Sequence, residues 1–376
     1  MKKAVLSIII ASFCLFPARA NAISAESCIL IDADSGKALY EYNADNRMLI
    51  ASTTKIMTAL VALEKGDLKD EVRITKDSCN VEGSSMYLKQ GDTITLEQLI
   101  YGMMLVSGND AASAVAYHIA GSIEAFAELM NDKAAELRLK NTSFTNPHGL
   151  DHENHYSTAR DMAIIMQAAM ENKDFVRITS TKSITIDGIT YTNHNKLLSI
   201  CEGITGGKTG YTKAAGRTLV SSCQRNGMSL ICVTLNDPDD WDDHIAIYEQ
   251  AFQEYERVTV ADSGAVYAEL PVIAGEDCDT VKIKPAETVT VTVKAESEIE
   301  ITNDLPRFVY AEITEGEKAG TLTWTVNGET AGEVELVYAE SAEREEPEDK
   351  GFFEELKEKF MGFVEFRMNK FGYYGS

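Results

Sequence analysis

Ala51-Ser52-Thr53-Thr54-Lys55-Ile56-Met57-Thr58-Ala59-Leu60 is the stretch on which the reading of this chain turns. From Ala51 onward the apolar residues Ile56, Met57, Ala59, Leu60, Ala62 and Leu63 recur at three- and four-residue steps, the period of an amphipathic helix. Ser52 and Lys55 are three apart and therefore face the same way. A serine hydroxyl is a weak nucleophile that needs an adjacent base. An uncharged lysine amine can serve, provided burial or a neighbouring positive charge pulls it below its ordinary pKa of about 10.4. A helix N-terminus beside the serine also favours a developing oxyanion. Taken alone, the four residues read more simply as an N-cap serine followed by a solvated lysine.

Two later motifs change that balance. Ser107-Gly108-Asn109 interrupts the mostly helical region 96–140. A hydroxyl there can relay a proton between the lysine and a leaving amine, and the asparagine offers a substrate amide one donor and one acceptor. Gly206-Gly207-Lys208-Thr209-Gly210-Tyr211-Thr212 falls on a predicted strand, where glycines admit the close approach of a substrate backbone. Lys208 and Thr209 suit a terminal carboxylate, one as a point charge and one as a hydroxyl. The Gly-x-Lys-Thr run is not a P-loop, because no Gly-x4-Gly-Lys-Thr precedes a helix. The order and spacing matter most: Ser52 to Ser107 is 107 − 52 = 55 residues, and Ser107 to Lys208 is 208 − 107 = 101.

The set Ser-x-x-Lys, Ser-x-Asn, Lys-Thr-Gly resembles the active-site serine penicillin-binding proteins and serine β-lactamases. It is most similar to the low-molecular-weight D-alanyl-D-alanine carboxypeptidases. Residues 51–60, Ser107-Gly108-Asn109-Asp110-Ala111-Ala112, Asn146-Pro147-His148-Gly149-Leu150-Asp151 and Tyr156-Ser157-Thr158-Ala159-Arg160-Asp161-Met162-Ala163 all look like that family. Ile50 stands where the family often has proline, Arg138 where it often has glycine, and Tyr211 where some members carry histidine. The resemblance implies an α+β fold, an α-β sandwich of the serine β-lactamase/penicillin-binding-protein-like transpeptidase type. It implies Ser52 as nucleophile, Lys55 as general base, Ser107 as proton relay and Asn109 as holder of the stem-peptide amide. Lys208 and Thr209 would grip the terminal carboxylate, in a substrate site that also includes Gly210 and Tyr211. The oxyanion would rest on the backbone N–H groups of Ser52 and Tyr211. The implied substrate is a peptidoglycan stem peptide ending in D-Ala-D-Ala, with β-lactam antibiotics as a second class of partner and no cofactor or metal. A serine β-lactamase and a scaffold protein without turnover are the rival readings; the first needs a carboxylate placed to activate water, and none is evident in the sequence.

The rest of the chain is read from composition and pattern. With 376 residues, 25% charged and 44% hydrophobic, it is too apolar to be disordered and has room for two or three domains. Its formal charge of −24 argues against a nucleic-acid partner. Residues 1–22 open with Met1-Lys2-Lys3, run apolar from Ala4 to Phe16 and end Ala20-Asn21-Ala22, a signal peptide cut after Ala22, with Ala20 as the alternative. The catalytic domain is then expected over 23–256. Period-two runs at Val281/Ile283, Val289/Val291/Val293 and Ile299/Ile301, with a hairpin about Asn327-Gly328, predict an all-β domain over 257–340. An acidic linker follows at 341–349. Over 350–376, Phe353, Leu356, Phe360, Phe363, Val364 and Phe371 form one stripe, an amphipathic helix fit to lie in a membrane surface. The expected location is the outer face of the cytoplasmic membrane.

Six cysteines follow the signal peptide: Cys28, Cys79, Cys201, Cys223, Cys232 and Cys278. Their spacing is irregular. Across a two-residue turn at Asn226-Gly227, Cys223 faces Leu230 rather than Cys232, so free thiols are expected. His148, His152 and His155, with Asp151 and Glu153, are expected to be loop residues rather than metal ligands, and the acids around Trp241 to form a surface turn.

Overall fold

The structure, a computed structural model, describes residues 23–276, 278–345 and 356–362. They divide into two compact units. The first takes the described residues up to Val258 together with Val291–Glu296; the second takes Thr259–Thr290 and the residues from Ser297 onward.

The first unit is built on a five-stranded antiparallel sheet in the order Ala38–Tyr42, Ser27–Asp32, Met228–Leu235, Gly216–Arg225, Ile204–Thr212. Ser27–Asp32 is buried throughout, because both faces of the sheet are covered. Ile29, Ile31, Val220, Ile231 and Val233 point into the larger core, which includes helices Lys55–Lys65, Leu96–Leu105, Asn109–Ala120 and Ala159–Met170. Cys28, Leu30, Cys223, Leu230 and Cys232 point the other way, against Ile247 and Tyr248 of helix Asp240–Glu254. Period-two alternation within continuous apolar runs thus sorts one strand into two cores. Asn226 and Gly227 both take positive φ, 51° and 78°, as a tight hairpin requires. The register sets Cys223 opposite Leu230, as expected, and all six described cysteines are free.

The second unit carries a six-stranded sheet, ordered Ile299–Asn303, Lys318–Val326, Glu329–Tyr338, Thr280–Pro285, Ala268–Ile273, Val309–Tyr310. Val281, Ile283, Leu322 and Leu336 are fully buried on one face. The hairpin about Asn327-Gly328 forms with Val326 opposite Glu329. Residues 356–362 are helical and expose Leu356, Phe360 and Met361. The remainder of the expected amphipathic helix, the end of the acidic linker and the signal peptide lie outside the described residues. Among the described residues no helix is long and apolar enough to cross a membrane.

Candidate active site

The nucleophile turn is tighter than an α-helix. Ala51–Thr54 is a 3-10 turn, and the α-helix begins only at Lys55. In a 3-10 turn residues i and i+3 eclipse, so Ser52 and Lys55 still meet. Ala51 enters with φ 45°, and Ser107 of the second motif holds φ 63°. Left-handed backbone at a non-glycine costs about 1–2 kcal/mol, and such strain gathers at functional sites.

Lys55 is fully buried. Its Nζ lies 2.9 Å from Ser52 Oγ, 2.7 Å from Asn109 Oδ1 and 2.7 Å from the His148 carbonyl oxygen. Two of those partners can only accept. A neutral amine therefore spends its two N–H bonds on Asn109 and His148, which leaves its lone pair for the Ser52 hydroxyl. Burial, followed by the charge of Lys208, pulls the amine well below its ordinary range, against an opposing pull from Asp110.

The loop that presents the His148 carbonyl is over-determined. Asn146 Oδ1 accepts from His148 N at 3.3 Å and Gly149 N at 2.7 Å, and Thr58 Oγ1 donates to the Pro147 carbonyl at 2.6 Å. Gly149 has φ +87°, and a Cβ there would come within 1.9 Å of the Ala51 carbonyl oxygen. The loop histidines serve this arrangement. His155 Nδ1 accepts from Thr145 N at 3.1 Å, so Nε2 donates to Thr54 Oγ1 at 2.8 Å. Burial holds His148 neutral, down to about 3, and His155 down to about 4.

Asn109 differs from the sequence reading. Its Oδ1 is taken by Lys55, and Nδ2 donates to the Glu82 carbonyl at 2.5 Å. One N–H is left for a substrate carbonyl; the rest of the amide positions the base. Asp110 anchors the loop that supplies Glu82, accepting from Met86 N at 2.9 Å, Leu88 N at 3.0 Å and Ser85 Oγ at 2.6 Å.

Ser52, Ser107, Thr209, Gly210 and Tyr211 line one cleft of about 300 Å³. Gly210 presses on the nucleophile turn: a Cβ there would lie 2.9 Å from Ser52 N and 2.4 Å from Thr218 Oγ1. This glycine lets the strand pass beside the backbone N–H of Ser52, where the oxyanion was expected. Lys208 sits deeper. It is 1% exposed, its Nζ donates to the Thr209 carbonyl at 2.8 Å, and burial lowers its pKa to about 7. It stands behind the cleft wall, where its charge acts on Lys55, while Thr209 and exposed Tyr211 face the opening.

His194, Arg217, Asp240 and Trp241 complete the wall and were not found from sequence. The acids around Trp241 are not a surface turn. Asp240 is 2% exposed and accepts from the Arg217 guanidinium, which lies 5.5 Å over the Trp241 ring. Register explains the gathering, since Arg217 pairs with Tyr211 across the hairpin. The Gly216 turn six residues after Gly210 was the available signal.

The chain is similar to known proteins along most of its length. Residues 15–239 match the family model described as D-alanyl-D-alanine carboxypeptidase, and residues 255–344 match the C-terminal domain of penicillin-binding protein 5. The chain is 33% identical over 362 residues to the D-alanyl-D-alanine carboxypeptidase DacF of Bacillus subtilis, covering 91% of each. It is 36% identical over 336 residues to DacA of Escherichia coli, covering 84% of this chain and 83% of that one. Penicillin-binding protein 5 of Haemophilus influenzae superposes with a TM-score of 0.72 at 31% identity, over 88% of this chain and 100% of the other. The chain belongs to the D-alanyl-D-alanine carboxypeptidase family.

Proposed function

We propose that this protein is a serine-type D-alanyl-D-alanine carboxypeptidase that removes the terminal D-alanine from peptidoglycan stem peptides and is acylated by penicillins. The observation that carries the reading is Lys55: fully buried, with two acceptors fixing its N–H bonds and Ser52 Oγ 2.9 Å away. Lys55 takes the Ser52 proton as Oγ bonds to the carbonyl carbon of the penultimate D-alanine. The oxyanion is stabilised by the N–H groups of Ser52 and Tyr211. The C–N bond then breaks, and the leaving amine receives the proton through Ser107. Water, deprotonated by the same lysine, attacks the acyl-enzyme and releases the shortened peptide and free Ser52. Lys208, through its charge, and Thr209, through its hydroxyl, hold the terminal carboxylate, and a charged substrate drives Lys208 back to its protonated form. Export and attachment through residues 350–376 place the enzyme at the outer face of the cytoplasmic membrane, where such peptides occur.

The test is intact-mass spectrometry with a penicillin over time, next to D-alanine release from a peptide ending in D-Ala-D-Ala. A lasting adduct on Ser52, lost in Ser52→Ala together with D-alanine release, supports the reading. Rapid loss of the adduct with hydrolysed drug makes the protein a β-lactamase. Absence of any adduct overturns the site. Attachment is tested separately: deletion of residues 350–376 must release the protein from anionic vesicles.

A further inference from the structure

Cys201 and Cys223 are far apart in the chain and meet at the entrance to the Lys-Thr-Gly strand. Cys201 ends the short helix Leu197–Ile200, and Cys223 lies in strand Gly216–Arg225 opposite Ile204. The turn between them folds tightly: Gly203 takes φ +81°, its carbonyl accepts from Gln224 N at 2.8 Å, and a Cβ on it would lie 3.2 Å from Cys223 Sγ. Both thiols reach one acceptor, the Glu202 carbonyl, at 3.3 Å from Cys223 Sγ and 3.8 Å from Cys201 Sγ. The Arg225 guanidinium lies 3.3 Å from Cys201 Sγ. It is held there by the Glu202 carbonyl at 2.7 Å, by Glu249 at 2.6 Å and by the Phe252 ring 5.0 Å beneath it. Cys201 is partly exposed, whereas Cys223 is 1% exposed.

We infer that Cys201 and Cys223 form a redox-reactive dithiol, a modification site that closes to a disulfide by exchange with a low-molecular-weight disulfide. A thiolate attacks a disulfide sulfur, so the attacking thiol must be ionised and accessible. Cys201 meets both requirements: it is partly exposed, and its pKa is lowered to about 7, first by the neighbouring Cys223 thiol and then, against burial, by the Arg225 guanidinium. The neighbouring Cys201 and burial push the Cys223 thiol up and hold it protonated, with its S–H on the Glu202 carbonyl. The Cys201 thiolate bonds to one sulfur of the small disulfide, whose S–S bond breaks and expels one thiolate. Cys223 then loses its proton to solvent and attacks the Cys201 sulfur, expelling the second thiolate. The protein thiols are oxidised by two electrons, and the small disulfide is reduced to two thiols.

Cys28 and Cys232 supply a built-in contrast. They lie diagonally on one face of two paired strands, but both are fully buried, and burial pushes Cys232 well above the ordinary thiol range. The bridge would tie the segment that leads into the Lys-Thr-Gly strand to the neighbouring strand and so fix one end of the hairpin that carries Lys208 and Arg217. It does not depend on the reaction proposed above.

The experiment exposes the reduced, folded full chain to oxidised glutathione at about pH 7, blocks remaining thiols and maps the peptides. The expected product is a 201–223 cross-link with Cys28 and Cys232 still reduced, and a rise in Tm of about 5 °C. Cys223→Ser is expected to stop at a stable glutathione adduct on Cys201. Cys201→Ser gives no cross-link while D-alanine release is unchanged. Arg225→Met should raise the midpoint of the Cys201 alkylation pH profile and slow the reaction at pH 7 about tenfold, with Arg225→Lys restoring it in part. A persistent adduct on wild-type Cys201 without the cross-link overturns the inference, as does a Cys201 rate no greater than that of the partly exposed Cys79.

Discussion

The two units bury different things. Among the described residues, every buried aspartate, lysine, histidine, asparagine, serine and threonine lies at or before His244, in the first unit. There Lys55, Lys208, Asp110, Asp240 and His155 sit within the hydrophobic framework, each with a named partner. The second unit buries Val281, Ile283, Leu322 and Leu336 and keeps its lysines and glutamates outside. A buried polar group is costly unless it is satisfied, so a fold that holds many has them for a reason other than stability. The all-β unit is built as a module that only has to hold together, whereas the sheet-and-helix unit gives up stability to keep two lysines poorly solvated.

Lys55→Met is the hardest blow to the first half of that contrast. It leaves the Ser52 hydroxyl without a base, and D-alanine release should fall by at least about 10³-fold. Steady-state kinetics with a D-Ala-D-Ala peptide measures this, and circular dichroism checks that the fold stands. Activity retained within an order of magnitude would remove the lysine from the chemistry. Leu336→Ala attacks the other half. It opens a cavity in the second unit and should cost that unit about 2–5 kcal/mol. Calorimetry reads the loss, and kcat/KM for D-alanine release should not change.

The same contrast explains what was legible in the sequence. The second unit follows one rule, alternation with turn signals, and its hairpin at Asn327-Gly328 could be placed in advance. In the first unit, Ser52, Lys55, Ser107 and Lys208 could be named because each lies in a short motif whose chemistry shows in its side chains. The groups that poise Lys55 could not. The His148 and Glu82 carbonyls are backbone atoms, identical in every residue, and they are aimed by the Gly149 conformation, the Asn146 and Thr58 hydrogen bonds and the Asp110 anchor. Asn109 was assigned to substrate because a side-chain amide suits one; the structure gives most of it to the base. Arg217, Asp240 and Trp241 come together through strand register and a helix that starts beside the cleft, which is information no local window contains.

Two lysines, one from each unit, give the finest test of the comparison. Lys208 titrates at about 7 in the folded protein and near its ordinary 10.5 in the unfolded chain. Between those values the unfolded chain holds a proton that the folded one lacks, so this lysine makes stability rise with pH across the window. Below about 7 both forms hold it, and the cost of burying the charge is complete. Lys208→Met should therefore stabilise the protein by about 1–3 kcal/mol at pH 6 in urea denaturation, while activity falls. The gain should shrink towards zero as the pH approaches 10.5. Lys318, in the second unit, lies in water 3.0 Å from Glu335, and its pKa is raised by that pair. The sign is opposite: what it contributes is present at neutral pH and is lost as pH rises past its own titration. Exposed pairs contribute little, so Lys318→Ala should leave the urea midpoint within the scatter of measurement at pH 6. If Lys208→Met proved as silent as Lys318→Ala across the pH range, the buried lysine would carry no stored cost, and the trade of stability for chemistry in the first unit would fail.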